Sequence, residues 1–136
     1  MTEQLFVIDA NILNSAIVFK SLKPALAIRK ALTDGTLLLS PSVVEEYAAT
    51  LSDSKFDSWL SVEKRLLILE KIVATGSIVS VTEKVIACRD SKDDKYLGLA
   101  VTGGASCIIT GDKDLLVLHP FRMIHIITAA EFLLRF

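Results

Sequence analysis

The sequence predicts an α/β fold of three layers, α/β/α, in which a central, mainly parallel sheet of five strands lies between helices. Two observations predict this class. Short apolar runs, typical of strands buried on both faces, alternate along the chain with longer segments in which apolar residues recur at helical spacing. Such alternation gives a parallel sheet, because each helix returns the chain to begin the next strand in the same direction. The 136 residues fit a single domain, residues 1–136.

Local signals predict the elements in the first part of the chain. The run Leu5–Asp9 is apolar until its last residue and predicts the first strand, and helical spacing of apolar residues predicts a helix over Asn11–Phe19. Pro24 begins a second helix and Asp34-Gly35 ends it, since proline suits the first turn of a helix and glycine its end. One strand and three helices complete this part: Thr36–Ser40, Pro41–Leu51, Phe56–Leu60 and Val62–Ala74.

The second part of the chain is organised around an acidic segment, Arg89–Asp114. Its three leading aspartates predict the N-terminus of a helix, and Gly103-Gly104 predicts the C-terminal cap of that helix. Thr128 and Glu131 form a capping box pattern that begins the last helix. The remaining predicted elements are three strands and two helical segments: Ser77–Val81, Ala105–Thr110, Leu115–Leu118, Met123–Ile127 and Thr128–Phe136.

Composition excludes several classes of protein. Hydrophobic residues make up 51% of the chain, which provides a core and leaves apolar surface for a partner or for self-association. No run reaches the 18 or so uncharged apolar residues that a membrane-spanning helix needs. The segment Met1–Phe6 lacks the basic region of a signal peptide. We therefore expect a soluble, cytoplasmic protein that does not bind membranes.

The cysteines and histidines do not predict a metal site of their own. Cys88 and Cys107 are the only cysteines, and they and the two histidines lack the spacing of zinc ligands or of a disulfide framework. Cys107 lies in a predicted strand and is interpreted as a small buried hydrophobic residue. The net charge of −1 gives no overall signal for nucleic acid, so contacts with nucleic acid would have to come from local patches.

Four acidic residues are predicted to meet at one edge of the sheet. Asp9 closes the first strand, Asp112 follows the fourth, and Asp93 opens the helix that leads into the fourth. Glu46 lies about a turn and a half into the helix after the second strand. In parallel α/β sheets the C-terminal ends of strands and the N-terminal ends of helices share the edge at which ligands bind. Converging carboxylates raise one another's pKa, and a divalent cation that prefers oxygen ligands, Mg²⁺ or Mn²⁺, is the simplest compensation.

Each acid also has a structural explanation. Asp9 could cap the helix that follows it, and Glu45 fits a capping box with Ser42, which leaves its neighbour at position 46 unexplained by capping. The aspartates that open the acidic helix could favour its N-terminus by roughly 0.3–1 kcal/mol each. Asp112 and Asp114 could be turn residues. Each explanation is sufficient for one residue, but four such acids at one edge are not expected by accident.

The order and spacing of four motifs resemble the PIN domains, a family of metal-dependent ribonucleases that includes the toxins of toxin–antitoxin pairs. The resemblance runs the whole length of the chain and is carried by Val7–Asn11, Ser40–Tyr47, Asp90–Ala100 and Thr110–Leu115. It implies a PIN-like fold and a hydrolase that cleaves RNA phosphodiester bonds endonucleolytically. It also implies that an antitoxin protein silences the enzyme, and that the chain could form a homodimer or a higher oligomer.

The resemblance further implies roles for individual residues. The catalytic and metal-binding residues would be Asp9, Glu46, Asp93 and Asp112, with Asp114 as an additional metal ligand. They would position a water for in-line attack on the phosphodiester. The family's second acid precedes an apolar or aromatic residue, which favours Glu46 over Glu45. The spacing from Gly104 and Asp112 favours Asp93 over Asp94 as a ligand, although both stay open.

Further residues would support the acids. Those that orient the ligands and water would be Asn11, Thr110, Asp90 and Asp94. Basic residues that flank the acids could contact the RNA backbone or be ordinary solvated charges: Arg89, Lys92, Lys95 and Lys113. Tyr47 and Trp59 could stack on bases or pack in the fold.

Two other classes of function are alternatives. A phospho-acceptor receiver domain also has an acidic, magnesium-binding edge, but it carries an acid pair after the first strand and an acceptor aspartate after the third. Here Ala10 follows Asp9, and no aspartate directly follows Val81. A phosphatase with an Asp-x-Asp motif is disfavoured because Asn11 occupies its second acidic position. A non-catalytic PIN-like module that binds RNA or protein is the remaining alternative.

Overall fold

All the strands of the central sheet run parallel, which confirms the predicted fold class. The computed structural model describes residues 4–136, so residues 1–3, which form part of the segment without a signal-peptide pattern, lie outside it. The strands are β1 (Gln4–Ile8), β2 (Gly35–Leu39), β3 (Ser77–Ile78), β4 (Cys107–Ile109) and β5 (His125–Ile127). Their spatial order is β3-β2-β1-β4-β5. The chain therefore reverses its direction across the sheet at the boundary between β1 and β4, which is where such sheets bind ligands.

Helices cover both faces of this sheet. Phe6, Val7 and Ile8 are consecutive residues of β1, so their side chains point alternately to the two faces, and all three are buried. Helix α5 packs against β1, β2 and β4, and α2 packs against β2, α1 and α7. The helices are α1 (Ala10–Ile17), α2 (Leu22–Asp34), α3 (Pro41–Leu51), α4 (Val62–Thr75), α5 (Asp94–Gly103), α6 (Lys113–Leu116) and α7 (Ala129–Arg135). None of the helices in residues 4–136 combines the length and apolar character needed to cross a membrane.

Several predicted elements are shorter in the structure. The predicted strand Ser77–Val81 is paired only over Ser77–Ile78, because it is the edge strand and its one neighbour, β2, ends at Leu39. The predicted strand Ala105–Thr110 is paired only over Cys107–Ile109. The last strand begins at His125, since Met123 lies in a turn with φ of 68° and an exposed side chain.

Two helical predictions also need correction. The predicted helix Phe56–Leu60 is a single 3₁₀ turn at Ser54–Phe56, which begins where the Asp53 side chain accepts the N–H of Lys55. The acidic helix, predicted to be opened by Asp93, starts with a 3₁₀ turn over Ser91–Asp93 and becomes α5 at Asp94. The glycine cap of this helix is confirmed, because Gly104 has the left-handed φ of 71° that glycine adopts without strain.

Of the two capping boxes predicted from the sequence, the structure confirms one N-cap and contradicts the other. Thr128 Oγ1 accepts the N–H of Glu131, as predicted for the start of the last helix. The capping box predicted for Ser42 and Glu45 is wrong, because Ser40 is the N-cap of α3 and its Oγ accepts the N–H of Val43. Pro41 occupies the first helical position, where its fixed φ is favourable. Helix α3 therefore begins two residues earlier than that pattern requires.

A buried arginine joins α3 to α4. Arg65 of α4 is 0% exposed, and its Nη1 donates to the carbonyl oxygens of Leu51 at 2.7 Å and Asp53 at 2.9 Å. Its Nη2 pairs with the Asp57 carboxylate. The guanidinium thus satisfies one carbonyl at the end of α3 and one just after it, which an apolar side chain cannot do.

Replacing Arg65 with Met is expected to lower the free energy of unfolding by about 2–4 kcal/mol, because a buried carbonyl left without a donor costs roughly 1–3 kcal/mol. Urea denaturation of the purified variant measures the loss. Lys64→Met is the matched control, since Lys64 is exposed on the same helix and should change stability by less than about 0.5 kcal/mol. Equal free energies of unfolding for the two variants would show that the hydrogen bonds of Arg65 do not stabilise the fold.

Candidate functional site

Asp9 lies at the end of β1, beside the point where the chain reverses its direction across the sheet. Its backbone N–H donates to the carbonyl of Ile109 in β4, so the adjacent strands fix its position. The side chain is 4% exposed, and its Oδ1 accepts the N–H of Asn11 at 3.4 Å, which makes Asp9 the N-cap of α1. Its Oδ2 accepts the hydroxyl of Thr110 at 2.7 Å. The capping explanation of Asp9 is thus correct, and it does not remove the residue from the acidic edge.

Thr110 connects two acids that are far apart in the sequence. It directly follows β4 and is 0% exposed. Its Oγ1 donates to Asp9 Oδ2 and accepts the backbone N–H of Asp112 at 3.0 Å. Because one hydroxyl serves both residues, the side chain of Asp9 and the backbone of Asp112 are held at a fixed separation.

Three aspartates form a tight group at this edge. One carboxylate oxygen from each of Asp93, Asp112 and Asp114 lies within 4.8 Å of the other two. Asp112 caps α6 by accepting the N–H of Asp114 at 2.8 Å, and Asp93 enters from the start of α5. Asp93 is 8% exposed, and its Oδ2 is buried without a hydrogen-bond partner among residues 4–136. A buried oxygen in that state is costly unless a cation or a proton satisfies it.

The charges of these acids act on one another. Burial raises the pKa of Asp93 to about 7, with further contributions from the carboxylates of Asp112 and Asp9. Burial also raises the pKa of Asp9, the hydrogen bonds from Thr110 and Asn11 oppose that effect, and the charges of Asp112 and Glu46 add to it. The four predicted acids therefore form a continuous series in space, from Glu46 through Asp9 and Asp112 to Asp93.

Glu46 approaches the series from α3. Its Oε2 accepts the Tyr96 hydroxyl at 2.6 Å and lies 3.2 Å from Lys95 Nζ, both on α5. Glu46 is not part of the three-aspartate group, and its link to the acids is through Asp9, whose pKa its charge helps to raise. Glu45 is exposed on the outer side of the helix. This geometry favours Glu46 over Glu45, as the sequence motif did.

Asp94 and Asp90 hold the backbone around the site. Asp94 Oδ1 accepts the N–H groups of Ala87 at 3.1 Å and Cys88 at 2.8 Å. Burial opposes the effect, but these hydrogen bonds bring the pKa of Asp94 below its ordinary value. Asp90 Oδ1 accepts the N–H of Lys92 at 3.0 Å and caps the 3₁₀ turn. Of the adjacent pair at positions 93 and 94, Asp93 is the one that joins the other acids.

The remaining predicted residues differ in their surroundings. Lys95 is paired with Glu46, and the other three basic candidates are exposed next to the acids in the sequence: Arg89, Lys92 and Lys113. Asn11 is exposed and contributes its backbone N–H to Asp9. Trp59 is 63% exposed and packs edge-on against Phe19.

Two buried tyrosines lie next to the acids; the sequence-based interpretation gave Tyr96 no role, and of its two readings of Tyr47 the packing one is correct. Tyr96 is 1% exposed, and its hydroxyl donates to Glu46 and accepts the N–H of Ala10 at 3.2 Å. Tyr47 is fully buried and donates to the carbonyl oxygen of Ile8, which excludes base stacking in this arrangement. A signal for Tyr96 existed, because it lies three residues after Asp93 and so on the same face of the helix.

The donor atoms fit a hard divalent cation. All the acids of the series offer carboxylate oxygens, and the buried Oδ2 of Asp93 lacks a donor. Cys88 lies beside the aspartates, but burial and the carboxylates of Asp94, Asp93 and Asp112 raise the pKa of its thiol to about 12. Without an ion, the thiol therefore stays protonated at neutral pH. Oxygen donors without sulfur or imidazole favour Mg²⁺ or Mn²⁺ over zinc.

Comparisons with known proteins agree with this geometry. The family model of the PIN domain matches residues 6–114, a range that contains all the acids of the site. One similar structure is the crystal structure of VapBC2 from Rickettsia felis, which is bound to a DNA fragment from the VapBC2 promoter. Its TM-score is 0.63 and its sequence identity 14%, and the match covers 90% of this chain and 97% of that chain. PAE2754 from Pyrobaculum aerophilum gives a TM-score of 0.65 and 14% identity over 96% and 88%. At these identities the two structures show a shared fold. No curated protein matches the sequence.

Proposed function

The chain belongs to the PIN-domain family, and from that premise we propose that it is a metal-dependent endoribonuclease that hydrolyses RNA phosphodiester bonds. One observation carries the proposal: carboxylates from remote segments converge on Asp93, whose buried Oδ2 has no hydrogen-bond donor among the described residues. A fold held together only by packing gains nothing from gathering carboxylates that repel one another, whereas a cation site requires such a group and the cation offsets the repulsion.

In the proposed reaction the acids hold Mg²⁺ or Mn²⁺ directly or through water: Asp9, Glu46, Asp93 and Asp112, with Asp114 as a further ligand. A bound ion of this kind supplies the charge that stabilises a phosphoryl transition state and lowers the pKa of an attacking water. Thr110 keeps Asp9 in place through a 2.7 Å hydrogen bond, so its carboxylate does not need to reorient during the reaction.

Basic side chains near the acids would attract the substrate. An RNA phosphate that approaches an acidic edge is repelled unless local cations offset the negative field. Lys95 lies inside the edge, paired with Glu46, and further exposed cations stand next to the acids: Arg89, Lys92 and Lys113. We assign these four residues to contacts with the RNA backbone, which position a substrate without reading its sequence.

Cleavage of a labelled single-stranded RNA is expected in Mg²⁺ or Mn²⁺, and chelation of the ions is expected to abolish it. Gel analysis of the fragments measures the reaction, and the same sequence as DNA tests the choice of sugar. Tight RNA binding without turnover in either ion would favour the non-catalytic alternative. Phosphorylation of the protein by acetyl phosphate would favour the receiver alternative. Fragments formed equally well in chelator would contradict metal dependence.

We further propose that the protein acts as a toxin whose partner is an antitoxin protein. Membership of the PIN-domain family and the apolar side chains left exposed support this role; among the largest are Leu22, Trp59, Ile86 and Leu134. Induced expression should arrest growth, and coexpression of a small reading frame next to the gene should restore it. Light scattering of the purified chain tests whether the apolar surface is instead used by a second copy.

A further inference from the structure

The Tyr96 hydroxyl forms hydrogen bonds both to Glu46 and to the backbone next to Asp9. It donates to Glu46 Oε2 at 2.6 Å and accepts the N–H of Ala10 at 3.2 Å. Ala10 is the first residue of α1 and directly follows Asp9. The phenol therefore connects α3, which carries Glu46, to the end of β1, which carries Asp9, from its position on α5.

The direction of these hydrogen bonds is fixed by chemistry. A backbone N–H can only donate, so the phenol oxygen accepts from Ala10 and its single hydrogen is left for Glu46. Burial and the nearby charge of Asp9 raise the pKa of Tyr96 above its ordinary value, so the hydroxyl stays protonated. The Tyr96 hydroxyl therefore accepts from Ala10 and donates to the Glu46 carboxylate, and it cannot exchange these two roles.

The two donors on Glu46 converge on a single oxygen. Tyr96 Oη and Lys95 Nζ both contact Oε2, and among residues 4–136 no donor contacts Oε1. With Oε2 engaged by α5, the carboxylate plane is set and Oε1 is left for another ligand. The charge of Glu46 also helps to raise the pKa of Asp9, so the glutamate that carries this free oxygen is near the acidic series.

We propose that Tyr96 is a positioning residue that orients Glu46 so that its Oε1 serves as a ligand of the divalent cation. The inference rests on the proposed function for the identity of the cation, but it concerns metal binding and does not require turnover. Tyr96 touches neither substrate nor ion, and it acts through the glutamate. Residues that orient ligands in this way typically change metal affinity by about 10–100-fold when they are altered.

Tyr47 provides a matched control. It carries a second buried phenol close to the same acids, and its hydroxyl donates to the Ile8 carbonyl rather than to a carboxylate. Tyr96→Phe is expected to weaken Mn²⁺ binding about tenfold, measured by isothermal titration calorimetry, whereas Tyr47→Phe should leave the affinity within about twofold. Both variants lose one buried hydroxyl, so a general loss of stability affects them alike.

A double-mutant cycle with Glu46→Gln separates positioning from packing. If Tyr96 acts through Glu46, adding Tyr96→Phe to Glu46→Gln should weaken Mn²⁺ binding no further. The proposal would be overturned if the two substitutions weakened Mn²⁺ binding additively, or if Tyr96→Phe and Tyr47→Phe weakened it equally. It would also be overturned if Tyr96→Phe did not fold, or if the wild type did not bind Mn²⁺. If Tyr96→Phe keeps the Mn²⁺ affinity of an active wild type, the positioning role of Tyr96 is wrong and the proposed ribonuclease activity is unaffected. If the affinities change as predicted but the wild type cleaves no RNA, the positioning role holds and the proposed ribonuclease activity is wrong.

Discussion

The Asp112→Asn variant is expected to cleave RNA about a thousandfold more slowly than the wild type at saturating Mg²⁺. A metal ion contributes several kcal/mol to a phosphoryl transfer, and each tenfold in rate corresponds to about 1.4 kcal/mol. Asp112 lies in the three-aspartate group, and its charge also raises the pKa of Asp93 and Asp9. Single-turnover cleavage of a labelled RNA measures the rate without interference from product release.

The substitution is designed to keep the local fold. Asp112 Oδ1 accepts the N–H of Asp114 at the start of α6, and an asparagine oxygen can accept the same hydrogen bond. Asp34→Asn is the control, because Asp34 ends α2, is exposed, and pairs with Lys30 away from the acidic edge. Its activity should equal that of the wild type. An Asp112→Asn enzyme with a third or more of the normal rate would remove the acidic edge from the mechanism.

The fold and most of the site could be predicted because both depend on short local patterns. An apolar run that ends on an acid fixes Asp9 at the C-terminal end of a buried strand, whatever the rest of the chain does. Asp112 follows β4 for the same reason, and the parallel sheet brings the two ends together. The direction of the strands places both residues at one edge, and the pairing of β1 with β4 brings them side by side.

The choice between Asp93 and Asp94 depends on a segment without regular structure. Asp94 is removed from the acidic series because residues 87 and 88 run past α5 and donate their N–H groups to it. Periodicity in the sequence does not predict the path of such a segment. The start of α3 at Pro41 was predicted correctly, but its cap was not. Ser40 and Ser42 both suit an N-cap, and only the observed hydrogen bond to Val43 separates them.

Tyr96 shows a different limit of the sequence. An aromatic residue inside a helix is expected to pack in the core, and the side chain is buried as expected. Its role depends on where one hydroxyl hydrogen points, which is decided by the approach of α3 and α1 to α5. Tertiary contacts of this kind arise from three remote segments, so no single motif contains them.

Without metal, the Asp93→Asn variant is expected to be more stable than the wild type at about pH 7.5, and the difference should vanish near pH 4. The pKa of Asp93 is about 7 in the folded protein, against an ordinary value of 3.8. The folded state therefore holds this proton more tightly than the unfolded state does. The stability that it contributes is complete below the ordinary pKa and is lost as the pH rises through about 7. Asparagine is neutral throughout and avoids that loss.

Addition of Mn²⁺ is expected to reverse the order of the two proteins. An ion that binds only the folded state stabilises it by an amount that grows with its affinity, and ionised carboxylates at higher pH bind it more tightly. The wild type should therefore gain more in thermal midpoint from Mn²⁺ than Asp93→Asn, by several degrees, since 1 kcal/mol corresponds to roughly 4 °C in a domain of this size. Thermal unfolding at both pH values, with and without Mn²⁺, measures all four differences. Parallel pH profiles of the two metal-free proteins would mean that Asp93 carries no raised pKa, and equal gains from Mn²⁺ would mean that it is not a ligand.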